Sequence, residues 1–258
     1  MTSLETFAAL LDDAAVRRIA LANALTDEDA SLDAETAYEV QRLVVGKRVA
    51  RGAHLVGAKL GLTSAAKQRQ MQVSDPLYGR LTSDMVLDPS QPVDLDRFIH
   101  VRAEPEIGFV IGDVIAAPAT IAGVLAATDS VFAAIELIDS RYDGFRFRLP
   151  DVIADNASSA GVLVGSVARR PSDVGDLRLL GVVVRRNGVV AATAAGAAAL
   201  GHPAQAVAWL VDRLATRGES LEPGSVVLSG GLTDALPLER GTVVSVEIEG
   251  LGTVEVRA

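Results

Sequence analysis

Two valine-rich segments near the C-terminal end constrain this chain most. In "LLGVVVRRNGVVAAT" (179–193) the pair Asn187-Gly188 sits between two β-branched runs. Asn-Gly accepts the positive φ angles of a two-residue turn whose twist matches a hairpin. "VVSVEIEGLGTVEVRA" (243–258) repeats the device: Val244, Val246 and Ile248 alternate, "EGLG" turns the chain, and Val254 and Val256 resume. Alternation with period two marks strands that bury one face. Strands joined by hairpins pair antiparallel, so the chain does not suit a doubly wound parallel sheet. It predicts a mixed, strand-rich α+β fold.

The rest of the chain fits that class. "EIGFVIGDVI" (106–115), "AAIELID" (133–139), "AGVLVGS" (160–166) and "SVVLSGGLT" (225–233) read as strands. "TIAGVLAATDSV" (120–131) reads as a helix, and "HPAQAVAWLVDRLATRG" (202–218) as a clearer one. In the latter Pro203 suits the first turn, Val207, Leu210, Val211 and Leu214 share a face, and Gly218 stops it. Ahead of these lie two helical patterns: residues 4–24, with Leu4, Phe7, Leu10 and Leu11, and a second that Ser31 or Asp33 caps and Gly52 ends. They predict an N-terminal helical arm over 1–53 and a catalytic unit over 54–258.

Composition excludes several functions. With a net charge of -9 and no basic stripe, nucleic acid is not an expected partner. No cysteine is present, which removes disulfides and thiolate metal sites. His54, His100 and His202 show no metal-binding spacing, and no nucleophile elbow, phosphate loop or dinucleotide fingerprint occurs. No 18-residue apolar run suggests a membrane span, and the acidic N-terminus is unlike a signal peptide. The expectation is a soluble, cytoplasmic protein.

The chemistry gathers on acids. In "RAEPEIGFVI" residues two apart share a strand face, so Glu104 and Glu106 aim their carboxylates the same way. Pro105 lacks a ladder donor and places this segment at an edge, a bulge or a strand start. Two acids at a strand end are ordinarily just solvated. Glu136 differs, because it interrupts the apolar run "AAIELID", where a buried charge needs a partner. Arg141 or Arg102 would serve as a plain ion-pair partner. Alternatively the three glutamates together form an all-oxygen site for a hard divalent cation, Mg²⁺ or Mn²⁺. Lys59, in the apolar "LVGAKLGLTS" (55–64), either snorkels to the surface or offsets that charge. "DVIADNASSAG" (151–161), with Asp155, Asn156, Ser158 and Ser159, and "LSGGLT" (228–233), with Thr233, read alone as polar turns.

Seven ordered segments, "GAKLGLTS", "PLYGRL", "RAEPEIGFVI", "AIELIDSRY", "VIADNASS", "NGVVAATAAGAAALGHPAQAVAWL" and "VLSGGLT", resemble the hydratase/decarboxylase group of the fumarylacetoacetate hydrolase superfamily. The likeness runs from about residue 33 to the C-terminus. It implies a β-roll-like fold and a Mg²⁺ or Mn²⁺ ion held by Glu104, Glu106 and Glu136. It also implies catalytic roles for Lys59 and Asp155, and substrate contacts from Leu62, Leu77, Asn156, Ser158 and Thr233. The group includes 2-hydroxypenta-2,4-dienoate hydratases and 2-oxohex-3-enedioate (4-oxalocrotonate) decarboxylases of aromatic meta-cleavage catabolism. Its members are typically oligomers, and the two enzymes of one pathway often associate. Hydratases of the group carry an aspartate where this chain has Leu77 in "DPLYG". "KQRQMQV" (67–73) and "DSRYDGFRFRL" (139–149) also sit closer to the decarboxylase branch. The expected reaction is therefore metal-dependent decarboxylation of a 2-oxo diacid, with hydration as the alternative. An acylpyruvate-type C–C hydrolase would want a water-activating histidine in the N-terminal arm, and none precedes His54.

Overall fold

The computed structural model describes residues 3–64, 68–69 and 73–258. The chain opens with α1 (Leu4–Arg17), α2 (Leu25–Glu28) and α3 (Ala34–Ala50). Ser3 caps α1 by accepting from the Thr6 amide, and Phe7, Leu11 and Ala14 form its buried side at helical spacing. The helix stops at Arg18 in the left-handed region, short of the expected residue 24. Beyond it Leu21 forms a bridge with Tyr142, so tertiary pairing claims the segment. Asp33, rather than Ser31, caps α3, and Gly52 leaves it at φ +103°. Phe7, Leu11 and Tyr38 belong to the same buried cluster as Leu60, Ile107 and Ile135, so these helices share one core with the sheets.

The large sheet has seven strands. Its main path runs β2 (Leu77–Thr82), β1 (Leu55–Gly61), β8 (Val226–Leu228), β3 (Arg102–Ile111), β4 (Thr128–Ile138) and β5 (Ser159–Arg169), with β9 (Leu236–Pro237) also on β3. β1 and β8 are parallel and the other pairs antiparallel. A four-stranded sheet follows the order β11 (Gly252–Arg257), β10 (Val243–Ile248), β6 (Gly181–Arg186) and β7 (Val189–Ala195). Both expected hairpins are present here, and Asn187 and Gly188 take φ +51° and +80°. Val184, Val244 and Val256 of this sheet belong to the same buried cluster as Ile135 and Leu137 of the large one and Leu210 and Leu214 of α7 (Pro203–Ala215). The fold is a mixed α+β arrangement with N-terminal helices.

Two boundaries differ from the sequence reading. The helix expected over 120–131 is α4 (Ile121–Ala127), and the chain turns extended at Thr128 to begin β4. Its last four residues include β-branched Thr128 and Val131, which the long β3–β4 ladder recruits. The strand expected over 225–233 is only Val226–Leu228, because Gly230 takes φ +103° and the chain leaves the sheet there.

The opposite face of the large sheet carries a smaller apolar cluster of Leu81, Met85, Phe132, Ala134, Val162 and Leu228. The carboxylates rise from this same face. Among the described residues, no helix is long and apolar enough to cross a membrane.

Candidate metal centre

Strand register builds the site. Glu104 lies directly opposite Glu136 in the β3–β4 ladder, and Glu106 opposite Ala134. Directly paired residues and residues two apart share a face, so all three glutamates project together. One carboxylate oxygen from each lies within 4.8 Å of the others. Glu106 and Glu136 are fully buried and Glu104 nearly so. Lys59 reaches this face through two ladders, since it is registered with Leu228 and Leu228 with Gly108.

Pro105 resolves the edge question. It lies inside β3, where that strand's second neighbour changes: β9 pairs at Arg102–Ala103 and β8 at Gly108–Val110. The Pro105 carbonyl accepts from the Leu232 amide at 2.9 Å, on the side where its missing N–H would also point. The absent donor therefore faces a gap between two partners, and no ladder bond is lost.

Each glutamate is held from a different direction. Lys59 Nζ stands 3.0 Å from Glu136 Oε2 as a buried ion pair. Ser159 Oγ lies 3.3 Å from Glu136 Oε1, and the Gly230 amide donates to Glu106 Oε2 at 2.6 Å. Glu106 Oε1 is buried and has no hydrogen-bond partner among the described residues. A side chain at Gly231 would place its Cβ 2.9 Å from the Glu104 carboxyl carbon, so only glycine lets the backbone approach there. Neither of the plain partners for Glu136 is used. Arg141 pairs with Asp155, and Arg102 lies over the Phe145 ring at 4.1 Å.

The electrostatics call for a cation. Burial raises the Glu106 carboxyl well above its ordinary range, and neighbouring Glu136 and Glu104 add to the rise while Lys59 opposes it. Glu136 is raised for the same first reason, against the pull of Lys59. Three carboxylates against one ammonium leave two negative charges in excess, the charge a divalent ion brings. The donors are all oxygen, one buried oxygen is unpartnered, and the atoms lie close enough to share one ion. This set fits Mg²⁺ or Mn²⁺.

A cavity of about 920 Å³ adjoins the cluster, with Thr63, Ser64, Leu200, Gly231, Leu232 and Thr233 among its lining residues. Gly231 both lines it and abuts Glu104, so this glycine separates the cavity from the cluster; the three glutamates and Lys59 are not among its lining residues.

The other expected residues are placed unevenly. Thr233 lines the cavity. Leu62 is half-buried at φ +56° and turns the chain out of β1. Leu77 lies opposite Gly61, on the Lys59 face, and a Cβ on Gly61 would come within 2.8 Å of its Cδ1. It is buried and is not among the cavity's lining residues. Asp155 is consumed by Arg141, whose guanidinium and amide both donate to its carboxylate. Burial nonetheless pushes its pKa up to about 6, with Arg141 pulling the other way. Asn156 clamps β2, since its side chain accepts from the Arg80 amide at 2.7 Å and donates to the Arg80 carbonyl at 2.9 Å. The Ser158 hydroxyl lies 3.4 Å from Asp155. Asn156, Ala157 and Ser158 all take positive φ, an unusual run for residues with side chains. That run turns Ser159, not Ser158, toward Glu136. Of "KQRQMQV", residues 67 and 70–72 lie outside the described residues. Two contributors were not among the expected site residues: Gly230, whose place in the glycine pair of "LSGGLT" signals close backbone approach but whose amide is what matters, and Thr63, an uncharged residue at a strand exit.

Fold and site together define the class: the chain belongs to the fumarylacetoacetate (FAA) hydrolase C-terminal family, whose model matches residues 45–258. Within it, the chain is 43% identical over 244 residues to a 4-oxalocrotonate decarboxylase of a Pseudomonas species, covering 95% of this chain and 93% of that one. A 2-oxo-hept-4-ene-1,7-dioate hydratase of Escherichia coli is 38% identical over 230 residues, covering 86% of each chain. The solved structure of 4-oxalocrotonate decarboxylase from Pseudomonas putida G7, complexed with magnesium and adipate, superposes with a TM-score of 0.93. It is 36% identical and covers 100% of this chain and 98% of that one.

Proposed function

We propose that this protein is a divalent-metal-dependent lyase that decarboxylates 2-oxohex-3-enedioate (4-oxalocrotonate) to 2-hydroxypenta-2,4-dienoate in aromatic meta-cleavage catabolism. The carrying observation is the buried Glu104–Glu106–Glu136 cluster with its lysine, in a chain similar throughout to decarboxylases of this name. The cation held by the three glutamates supplies Lewis-acid polarisation of the 2-oxo group.

The chain's own residues do the rest. The C5–C6 bond breaks, its electron pair forms C4=C5, and the C3=C4 pair shifts to C2=C3. The 2-oxygen takes the charge and then a proton, while C6 leaves as CO₂. Lys59, beside Glu136, offsets the charge that gathers on this oxygen and delivers the proton that makes the hydroxyl. Leu77, on the same sheet face as Lys59, keeps an acid out of a position from which a hydratase would manage water. Thr233 shapes the substrate cavity, and Leu62 turns the chain so that Thr63 lines it. Asp155, Asn156 and Ser158 act by holding the turn that presents Ser159 to Glu136. We also propose a cytoplasmic location, a homo-oligomeric assembly and association with the paired pathway hydratase; light scattering of the protein alone and with that hydratase tests the latter two.

Hydration of 2-hydroxypenta-2,4-dienoate is the second reading, supported by relatives named hydratases at 36–40% identity. Incubation with Mg²⁺ and each substrate in turn separates the two. CO₂ from 2-oxohex-3-enedioate with no water addition to the dienoate supports decarboxylation. Hydration of the dienoate with no CO₂ from the diacid sinks it.

A further inference from the structure

Thr63 is 2% exposed, and its Oγ1 has no hydrogen-bond partner among the described residues. A buried hydroxyl without a partner is uncommon and calls for a reason. Three features fix it where it is. Leu62 at φ +56° turns the chain out of β1, the Thr63 carbonyl accepts from the Leu200 amide at 2.9 Å, and Gly230 offers no side chain. A Cβ at Gly230 would lie 2.0 Å from Thr63 Oγ1. The Gly230 amide in turn binds Glu106, so the hydroxyl sits one residue from the metal centre. Thr63 also lines the cavity, as do Gly231 and Thr233.

We infer that the Thr63 hydroxyl is a substrate-binding donor, completed when the carboxylate of the 2-oxo acid nearest the glutamate cluster accepts from it. The inference rests on the 2-oxo acid reading above. A hydroxyl donates to a carboxylate oxygen more strongly than to a neutral one, and a buried hydroxyl left without an acceptor gains the whole of that bond when the substrate arrives. The hydroxyl binds ground state and transition state alike, so its loss raises KM and leaves kcat nearly intact.

The probe is 2-oxoadipate with Mg²⁺. It keeps both carboxylates and the 2-oxo group but lacks the 3,4 double bond through which the electron pair leaves, so it binds without reacting. Thr63→Val preserves the shape and removes the hydroxyl; Thr63→Ser keeps it. By calorimetry, Thr63→Val weakens 2-oxoadipate binding about ten- to hundred-fold, the range for one hydrogen bond to a charged group. Thr63→Ser binds within about threefold of wild type, and the Mn²⁺ affinity of both variants is unchanged. The ligand-free Thr63→Val protein melts no lower than wild type, because no protein bond was lost. Equal binding of 2-oxoadipate by wild type and Thr63→Val overturns the inference, as does a lowered melting temperature together with weakened Mn²⁺ binding, which marks a structural role. If Thr63→Val loses affinity in an enzyme that releases no CO₂ from 2-oxohex-3-enedioate, the hydroxyl keeps its assignment and the decarboxylase reading falls. A wild-type protein that does not bind 2-oxoadipate overturns both.

Discussion

Lys59 and Gly230 carry the site in different ways. Lys59 is a charge placed 3.0 Å from Glu136 Oε2, and replacing it with methionine removes the charge while keeping the stem. A group that delivers a proton accounts for about 10²–10⁴-fold in rate. Lys59→Met is expected to lower kcat by at least about 100-fold while Mn²⁺ still binds, and steady-state kinetics beside a binding isotherm check both halves. Gly230 contributes a backbone amide. At φ +103°, with Thr63 in the space a Cβ would take, Gly230→Ala both strains the backbone and pushes the amide off Glu106. Left-handed strain and a forced contact each cost about 1–3 kcal/mol, so chemical denaturation should show a loss of at least about 2 kcal/mol. The two residues were not equally legible. An isolated lysine in an apolar run announces itself, whereas an amide donor has no letter in the sequence. Thr63 had a letter but neither charge nor periodicity to single it out.

At the scale of elements, the β3–β4 ladder is what turns three distant letters into one site. Two-residue spacing gave the shared face of Glu104 and Glu106, and an acid inside an apolar strand gave Glu136. The one-to-one register of Glu104 with Glu136 is a property of paired strands and becomes visible only in the folded sheet. The junction between α5 (Leu149–Ala154) and β5 is the other structural device. There the Arg141–Asp155 pair sits under the left-handed run that delivers Ser159. The resemblance implied a catalytic role for Asp155, and nothing in "DNASSAG" reveals that an arginine fourteen residues earlier occupies its carboxylate. Asp155→Ala leaves a buried guanidinium unpaired, and we expect a loss of about 3–5 kcal/mol by denaturant unfolding, with activity falling through the displaced turn.

For the molecule as a whole, the buried carboxylates couple stability to pH and to metal. Glu106 and Glu136 ionise at higher pH in the folded, metal-free protein than in the unfolded chain. The stability this gives is fully present below the ordinary glutamate pKa near 4.5 and is lost as pH rises through the raised folded values. A divalent ion binds the ionised forms and reverses the trend. Mg²⁺ at about 100 times its dissociation constant should raise the melting temperature by about 5–10 °C at pH 8 and by distinctly less at pH 5.5. Calorimetric scans of the metal-stripped protein with and without Mg²⁺ at the two pH values give the comparison.

The central claim is that Glu104, Glu106 and Glu136 hold one divalent cation. Titration of the metal-stripped protein with Mn²⁺ by calorimetry tests it most directly. We predict one ion per chain for wild type and at least about a 100-fold weaker isotherm for Glu106→Gln, whose circular dichroism stays that of the folded protein. An absence of Mn²⁺ binding in wild type, or an unchanged isotherm in Glu106→Gln, would contradict the account.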